Sequence, residues 1–188
     1  MGIRNVSKYV IIIAIIFIIL LGLGYRFTGL QAAKNNFEIS KGAQLIGQVN
    51  YNWGNVYLFK TNKGPRTIIS KRFGLLWSAS VGFSMNDSND AISVVGWGND
   101  TKCTVYAVEA LDNNVKYIEM GSEGSRIRKY VGKENPIIFS WNKSIPWNDF
   151  NGIAYSTNGE AIYELRYPQN KSYINPTDDL KWFFISKN

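Results

Sequence analysis

The N-terminal region carries an uninterrupted apolar segment at residues 9–25, which reads YVIIIAIIFIILLGLGY and contains no charged side chain. A helix rises about 1.5 Å per residue, so these residues would cover roughly 25 Å of a hydrocarbon core about 30 Å thick. Tyr9 and Tyr25 bracket the segment, as is typical of aromatic side chains at membrane interfaces. The segment predicts one transmembrane helix in contact with the lipid bilayer, and it places the rest of the chain at the cell membrane.

The flanks of this segment predict a signal anchor that is retained. A cleaved signal peptide needs small residues at the −3 and −1 positions of the cleavage site. Ala32 or Ala33 could supply the −1 residue, but Leu30 or Gln31 would then occupy −3. We therefore expect residues 1–8 to form a short cytoplasmic tail ahead of an uncleaved anchor, with cleavage as the alternative.

Much of the basic charge lies beside the apolar segment. Arg4, Lys8, Arg26 and Lys34 flank it, and from residue 35 onward 17 basic residues face 14 acidic ones, a net charge of +3. This distribution fits a membrane flank and predicts no nucleic-acid partner. Because both flanks are basic, charge alone does not fix the orientation. We expect the C-terminal domain outside the cell, as is common behind a signal anchor, with a cytosol-facing domain as the alternative.

The rest of the chain predicts a tether at residues 26–37 and one extracytoplasmic β-rich domain at residues 38–188. Short apolar or alternating runs bounded by turn residues indicate strands. These runs lie at 56–61, 66–72, 91–97, 104–111, 115–120, 136–141, 153–155, 161–163 and 180–185. Asn158 and Gly159 predict a type I′ hairpin turn between two of them. We expect an all-β fold, mainly an antiparallel sandwich or a partly open barrel, with few and short helices.

A weak internal repeat suggests an alternative architecture. A Trp followed by Gly-Asn or Asn recurs at Trp53, Trp97 and Trp147, at intervals of 44 and 50 residues. These intervals are close to the length of a four-stranded propeller blade. A small propeller-like repeat is therefore the alternative fold.

The residue composition excludes several kinds of chemistry. The chain has no His and one Cys, Cys103, which excludes intramolecular disulfides, Ser-His-Asp and Cys-His triads, and the usual zinc ligand sets. Ser140 and Lys143 have the Ser-x-x-Lys spacing of some acyl-transferases, but Ser140 lies on a predicted strand, where residues three apart face opposite sides. Cys103 has no imidazole to activate it, so we interpret it as a strand residue. The sequence predicts no cofactor, no metal and no catalytic motif.

Two acidic pairs are the remaining catalytic candidates. They are Glu160 with Glu164, and Asp178 with Asp179. Two carboxylates can cleave a glycosidic bond if they face each other across a cleft. An envelope hydrolase that uses Glu160 and Glu164 is therefore an alternative function.

A polar segment offers oxygen ligands for Ca²⁺, namely Asp87, Asn89 and Asp90, with Asp100 nearby. The order of ligands in an EF-hand fails, because Ala91 stands where the fifth-position ligand belongs. We interpret the segment as a polar turn.

Two further features predict binding surfaces. A basic cluster of Arg126, Arg128, Lys129 and Lys133 could contact anionic lipid head groups or an anionic cell-wall polymer. Trp147 lies between Pro146 and Asn148 in a loop-like stretch, and an exposed Trp can stack on a sugar or a peptide.

Together these observations predict a membrane-anchored extracytoplasmic interaction module without catalytic residues. The near absence of Cys favours a bacterial source, because exported eukaryotic domains of this size often carry paired cysteines. The predicted partners are the bilayer, a cell-envelope polymer or a membrane protein. A structural subunit held in a membrane complex through its helix is a further alternative.

Overall fold

The computed structural model describes residues 3–84, 90–132, 135–166 and 181–186. Within these ranges the helices are α1 (Ile3–Gly22) and α2 (Gly29–Lys34), with a 3-10 turn at Trp147–Asp149. The strands are β1 (Gln44–Asn50), β2 (Gly54–Thr61), β3 (Gly64–Phe73), β4 (Leu76–Ser84), β5 (Ile92–Asp100), β6 (Cys103–Ala110), β7 (Tyr117–Gly121), β8 (Ile127–Tyr130), β9 (Ile137–Trp141), β10 (Asn151–Tyr155), β11 (Ala161–Arg166) and β12 (Lys181–Phe184).

The strands form three open antiparallel sheets. The first sheet has the order β1-β2-β3-β4, the second β5-β6-β9, and the third β12-β11-β10-β7-β8. Each predicted strand coincides with an observed one, apart from shifts of a few residues at the ends. The expectation of an all-β, mainly antiparallel domain is confirmed.

Three strands were not predicted from the sequence. In β1, Gly47 interrupts a strand with no fully buried residue, and β4 contains a run of small and polar residues around Ala79. Strand β8 has the charged sequence IRKY, which belongs to the basic cluster and has only one aliphatic residue. All three are strands because a neighbouring strand supplies their hydrogen bonds, whereas their own apolar patterns are weak.

The first and second sheets pack face to face. Alternate residues of β2 point to opposite sides, so Val56 and Leu58 face the second sheet, where Leu58 packs against Val95 and Ala107. A side chain at Gly96 would begin 2.5 Å from Leu58, so glycine allows the two sheets to approach closely here. The run of consecutive apolar residues in β2 thus reflects burial on both faces.

Helix α2 covers the outer face of the first sheet. Its Ala33 packs against Tyr57 and Phe59, and the hydroxyl of Ser70 donates a hydrogen bond of 2.9 Å to the carbonyl of Gly29. The predicted tether at residues 26–37 therefore contains a short helix that packs on the β domain. The apolar period was missed because α2 has only six residues and buries small side chains, which give a weak signal.

The third sheet packs on the remaining face of the second sheet. This interface contains the largest buried cluster, to which the second sheet contributes Tyr106 and Phe139 and the third sheet contributes Ile118, Met120 and Ala154. The layers therefore follow the order α2, first sheet, second sheet, third sheet. The second sheet lies at the centre, which explains why β5 and β6 are almost entirely buried.

The propeller-like repeat has no structural counterpart. Trp53 lies in the turn between β1 and β2, Trp97 is buried within β5, and Trp147 lies in the 3-10 turn. These three positions are not equivalent, and the sheets that contain them have different numbers of strands. The alternative of a small propeller is therefore wrong, and the recurrence is a coincidence of composition.

The hairpin between β10 and β11 forms where it was predicted, but the turn is of another type. The N–H of Gly159 donates to the carbonyl of Ser156 at 3.1 Å, and Gly159 has a φ of 78°. Asn158 does not have a positive φ, which a type I′ turn would require. With the N–H of Ser156 donating to the carbonyl of Glu160, these features match a type I turn followed by a left-handed glycine, the usual three-residue hairpin loop.

Helix α1 leaves most of its described apolar side chains exposed, apart from a half-buried stripe of Phe17, Leu20 and Leu21. Large apolar residues from Tyr9 to Ile19 are more than half exposed, and the chain then turns into the β domain after Gly22. Among the residues that the structure describes, no helix has both the length and the apolar character needed to cross a membrane.

Candidate ligand-binding cleft

Turns from the first and second sheets meet at one end of the domain. The turn between β1 and β2 is tight, with the N–H of Tyr51 donating to the carbonyl of Gly54 at 2.8 Å. The carbonyl of Trp53 accepts a bond of 3.3 Å from the N–H of Arg72, near the end of β3. These bonds hold Tyr51 and Trp53 beside the turn that connects β3 to β4.

The turn between β5 and β6 closes the same end of the second sheet. Asp100 and Cys103 are paired across it, so Thr101 and Lys102 form its tip. The Lys71 Nζ atom lies 2.7 Å from Asp100 Oδ2, an ion pair that joins the first sheet to the second. Burial alone would raise the pKa of Asp100, but hydrogen bonds from Lys71 and Thr101 hold it below its ordinary value.

These turns enclose an open cleft of about 670 Å³. It is lined by Asn50, Tyr51, Asn52, Trp53, Thr101, Lys102 and Asn142. An adjoining groove of about 440 Å³ is lined by Asn52, Trp53, Lys71, Arg72, Gly74 and Lys102. Because Asn52, Trp53 and Lys102 line both, we treat them as one site and call it the Trp53 cleft.

The Trp53 cleft combines an aromatic surface with polar and cationic groups. The rings of Tyr51 and Trp53 stack with centroids 5.2 Å apart and planes 15° apart, and Lys102 Nζ lies 5.8 Å from the Trp53 centroid. Asn50, Asn52 and Asn142 have exposed side chains that can both donate and accept hydrogen bonds. An aromatic surface bordered by amides and an ammonium group suits a polar, negatively charged ligand with an apolar face.

Cys103 lies next to Tyr51 but does not line the cleft. Cys103 is fully buried, and this burial raises the pKa of its thiol to about 11. Burial, followed by the neighbouring Cys103, also raises the pKa of Tyr51. Since the thiolate is the reactive form of Cys, a raised pKa makes Cys103 a poor nucleophile near neutral pH.

Arg128 of the predicted basic cluster lies on the outer face of the third sheet, and the described members of the cluster do not line the Trp53 cleft. Arg128 pairs with Glu119 at 2.6 Å, and its guanidinium lies 4.5 Å from the Tyr117 ring centroid. Arg126 donates a hydrogen bond to the side chain of Asn151. Arg128 and Arg126 are thus held in contacts within the domain.

The other two members of the basic cluster are placed differently. Lys129 follows Arg128 directly in β8, and successive residues of a strand point to opposite faces of the sheet. The side chain of Lys129 therefore points away from the face that carries Arg128, and it is half-buried. Lys133 lies outside the described residues. The four basic residues therefore do not present one continuous cationic surface in the described part of the chain.

Trp147 has 41% of its surface exposed and stands on the 3-10 turn before β10. It is not among the side chains that line the Trp53 cleft. Its role as a binding residue stays a prediction. By contrast, Trp97, Trp141 and Trp182 are buried in the core. Trp53 and Trp147 are therefore two separate candidates for a binding surface, one in the cleft and one on the 3-10 turn.

Glu160 and Glu164 are not placed as carboxylates that face each other across a cleft. Glu160 lies in the turn before β11, and Glu164 is on β11, where its carboxylate is 2.5 Å from Arg166 Nε. Four residues of extended chain span about 13 Å, beyond the separation of roughly 5 to 9.5 Å used by glycosidases. Asp178 and Asp179 lie outside the described residues.

The calcium candidates are also dispersed or undescribed. Asp87 and Asn89 lie outside the described residues, Asp90 is exposed, and Asp100 pairs with Lys71. Within the described ranges, no group of three or more acidic or cysteine side chains is positioned to hold a metal ion.

Ser140 and Lys143 occupy separate surroundings. Ser140 lies on β9 beside the Tyr51 hydroxyl. Lys143 is exposed in the loop after β9, and its backbone carbonyl accepts a hydrogen bond of 3.1 Å from the hydroxyl of Thr104. The strand position predicted for Ser140 is confirmed.

Comparison of the chain with protein-family models, with curated proteins and with solved structures gave no match. The class of protein therefore rests on the fold and on the Trp53 cleft. The cleft could not be predicted from the sequence, because Trp53 and Lys102 are 49 positions apart and meet only when the sheets pack. A local signal did exist, since Asn50, Tyr51, Asn52 and Trp53 place two aromatic rings and two amides in one turn.

Proposed function

We propose that this protein is a membrane-tethered binding module that holds an acidic polysaccharide of the cell envelope in the Trp53 cleft. In this proposal the apolar segment 9–25, most of which lies in α1, inserts into the bilayer and the β domain lies outside the cell. The observation that carries the proposal is the stacked Tyr51 and Trp53 pair with Lys102 above it, in a cleft bordered by asparagine side chains.

The chemistry of the cleft favours a charged glycan. Sugar rings have an apolar face that packs on aromatic rings, and their hydroxyl groups pair with amides such as those of Asn52 and Asn142. Lys102 and Arg72 add positive charge for phosphate or carboxylate groups on the polymer. The openness of the cleft to solvent suits a long chain that enters and leaves it.

The surface of α1 supports membrane attachment. Nine large apolar side chains between Tyr9 and Ile19 are more than half exposed, while Phe17, Leu20 and Leu21 form a half-buried stripe on one face. A helix that is apolar all round is stable when it is buried in lipid or in other protein. With Tyr9 and Tyr25 as interfacial residues, the bilayer is the surrounding that fits this helix best.

Binding to purified cell-wall material tests the proposal. The full-length protein in mild detergent is mixed with insoluble walls that carry their acidic polymer, and the bound fraction is measured by sedimentation. We expect Trp53→Ala and Lys102→Gln each to weaken binding by on the order of tenfold, equivalent to about 1.4 kcal/mol. Lys102 is exposed, so its replacement leaves the core unchanged.

Trp147→Ala is the matched control, because Trp147 is an exposed aromatic residue outside the cleft. It should bind the walls like the parent protein. If Trp147→Ala lost binding while Trp53→Ala and Lys102→Gln retained it, the ligand surface would lie at the 3-10 turn. Undiminished binding to walls stripped of acidic polymer would refute the choice of ligand.

A further inference from the structure

A group of exposed apolar side chains surrounds the junction between α1 and the β domain. Phe73 and Leu75, in the turn between β3 and β4, are 69% and 79% exposed. Leu23 and Phe27, which follow α1, are also more than half exposed. Exposed apolar residues that collect at one place on a surface mark a site of interaction.

The turn between β3 and β4 is held at the end of α1 by backbone pairing. Arg26 and Trp77 form an antiparallel bridge with two backbone hydrogen bonds, of 2.9 and 2.7 Å. The ring of Tyr25 meets the ring of Phe73 edge-on, with centroids 6.3 Å apart. These contacts attach the turn to the segment that leaves the helix.

The short connection limits how far the domain can stand from α1. Four residue steps separate Gly22, where α1 ends, from Arg26, and an extended chain covers at most about 3.6 Å per step, or about 14 Å in all. The guanidinium of Arg26 donates at 2.8 Å to the carbonyl of Leu21 and at 2.6 Å to the side chain of Asn35. The short connection and these hydrogen bonds restrict the movement of the segment from Gly22 to Arg26, which we call the joint.

Positive charge accompanies the apolar side chains. Arg72 is exposed directly before Phe73, and Lys34 is exposed at the end of α2. A groove of about 580 Å³ at the joint is lined by Leu21, Phe27, Arg26 and Lys34 among others. Apolar side chains next to cations are the composition that matches a bilayer interface, where acyl chains lie beside anionic head groups.

We infer that the joint face, formed by Leu23, Phe27, Phe73 and Leu75 with the flanking cations, docks on the bilayer surface next to α1. This inference rests on the proposed insertion of α1 into the membrane. The domain then lies against the bilayer with the turn between β3 and β4 immersed in the interface. Since Arg72 and Gly74 of this turn also line the Trp53 cleft, the cleft opens close to the membrane surface.

Depth-dependent fluorescence quenching tests the docking. The full-length chain with Leu75→Cys is labelled with an environment-sensitive fluorophore and reconstituted into phosphatidylglycerol vesicles that contain spin-labelled lipid. Cys103 is buried, so the introduced thiol is the one that reacts. Lys63→Cys is the control, because Lys63 is exposed in the turn between β2 and β3, at the opposite end of the same sheet.

We expect lipids that are spin-labelled near the head group to quench most of the fluorescence of the fluorophore at position 75. For the fluorophore at position 63, quenching should not exceed background. In the Leu75→Cys protein, a second change of Phe73→Ser should reduce the quenching, whereas Leu111→Ser, at an exposed residue after β6, should not. Flotation of the vesicles reports insertion of α1 separately. A protein that floats with equal quenching at both positions would refute the docking and leave the tether intact, and a protein that does not float would refute both.

Discussion

Single residues decide the form of the turns that connect the strands. In the hairpin between β10 and β11, the N–H of Ser156 donates to the carbonyl of Glu160 at 2.9 Å, and the left-handed conformation is confined to Gly159. No atom lies within 4 Å of the position that a Cβ of Gly159 would occupy. Any cost of a side chain at Gly159 therefore comes from the backbone conformation, since packing does not oppose it.

Gly159→Val should lower the free energy of unfolding by about 1 to 2 kcal/mol, because a β-branched residue must then adopt a left-handed backbone. Urea denaturation followed by tryptophan fluorescence measures the change. Asn158→Ala is the control, and since Asn158 does not have a positive φ it should cost much less. Equal losses in the two variants would indicate that both positions are left-handed, as in the type I′ turn.

At the scale of elements, the close contact between the first and second sheets depends on a position without a side chain. Gly96 follows the register shift between Val94 and Gly96, and a Cβ there would meet Leu58 Cδ2 at 2.5 Å and Thr67 Oγ1 at 3.3 Å. The Thr67 hydroxyl also accepts a hydrogen bond of 3.1 Å from the N–H of Trp97. The two sheets are thus joined by packing and by a hydrogen bond at the same place.

Gly96→Ala should destabilise the domain by about 1 to 3 kcal/mol, the usual range for overpacking a filled core. Thermal or urea unfolding of the full-length protein measures this loss. Combining it with Leu58→Val, which shortens the opposing side chain, should recover part of the loss. Strict additivity of the two changes would show that Gly96 and Leu58 are not in contact.

For the whole molecule, the proposed membrane anchor raises the question of the side on which the β domain lies, because that side would determine its partners. The proposed function needs the domain outside the cell, where acidic wall polymers are located. The chain flanks α1 with cations on both sides, so charge alone does not fix this orientation.

Protease added to intact cells should therefore remove the β domain and leave a membrane-bound fragment that contains α1. Immunoblotting against tags at the two ends measures the fragments, and a cytosolic protein serves as the control for cell integrity. Protection of the domain until the cells are lysed would place it in the cytosol and contradict the proposed ligand. Recovery of the domain in the medium without protease would indicate cleavage near Ala32.

The sequence by itself determined the properties that depend on local pattern. The alternation and apolar runs of β2, β3, β5 and β6 were sufficient to predict strands, because a β-strand imposes its period on consecutive residues. The absence of His and the single Cys excluded whole classes of chemistry without reference to any structure. The apolar character of residues 9–25 likewise predicted a helix, which α1 matches over most of the segment, while its contact with lipid stays a prediction.

Only the tertiary structure decided which residues share a surface. Tyr57 and Leu58 are equally apolar in the sequence, yet one faces α2 and the other the second sheet, because the domain has stacked layers. The Trp53 cleft joins turns from the first and second sheets, and the joint face unites α1 with the turn between β3 and β4. Such contacts between distant segments depend on strand order and layer packing, which the local period of a sequence does not encode.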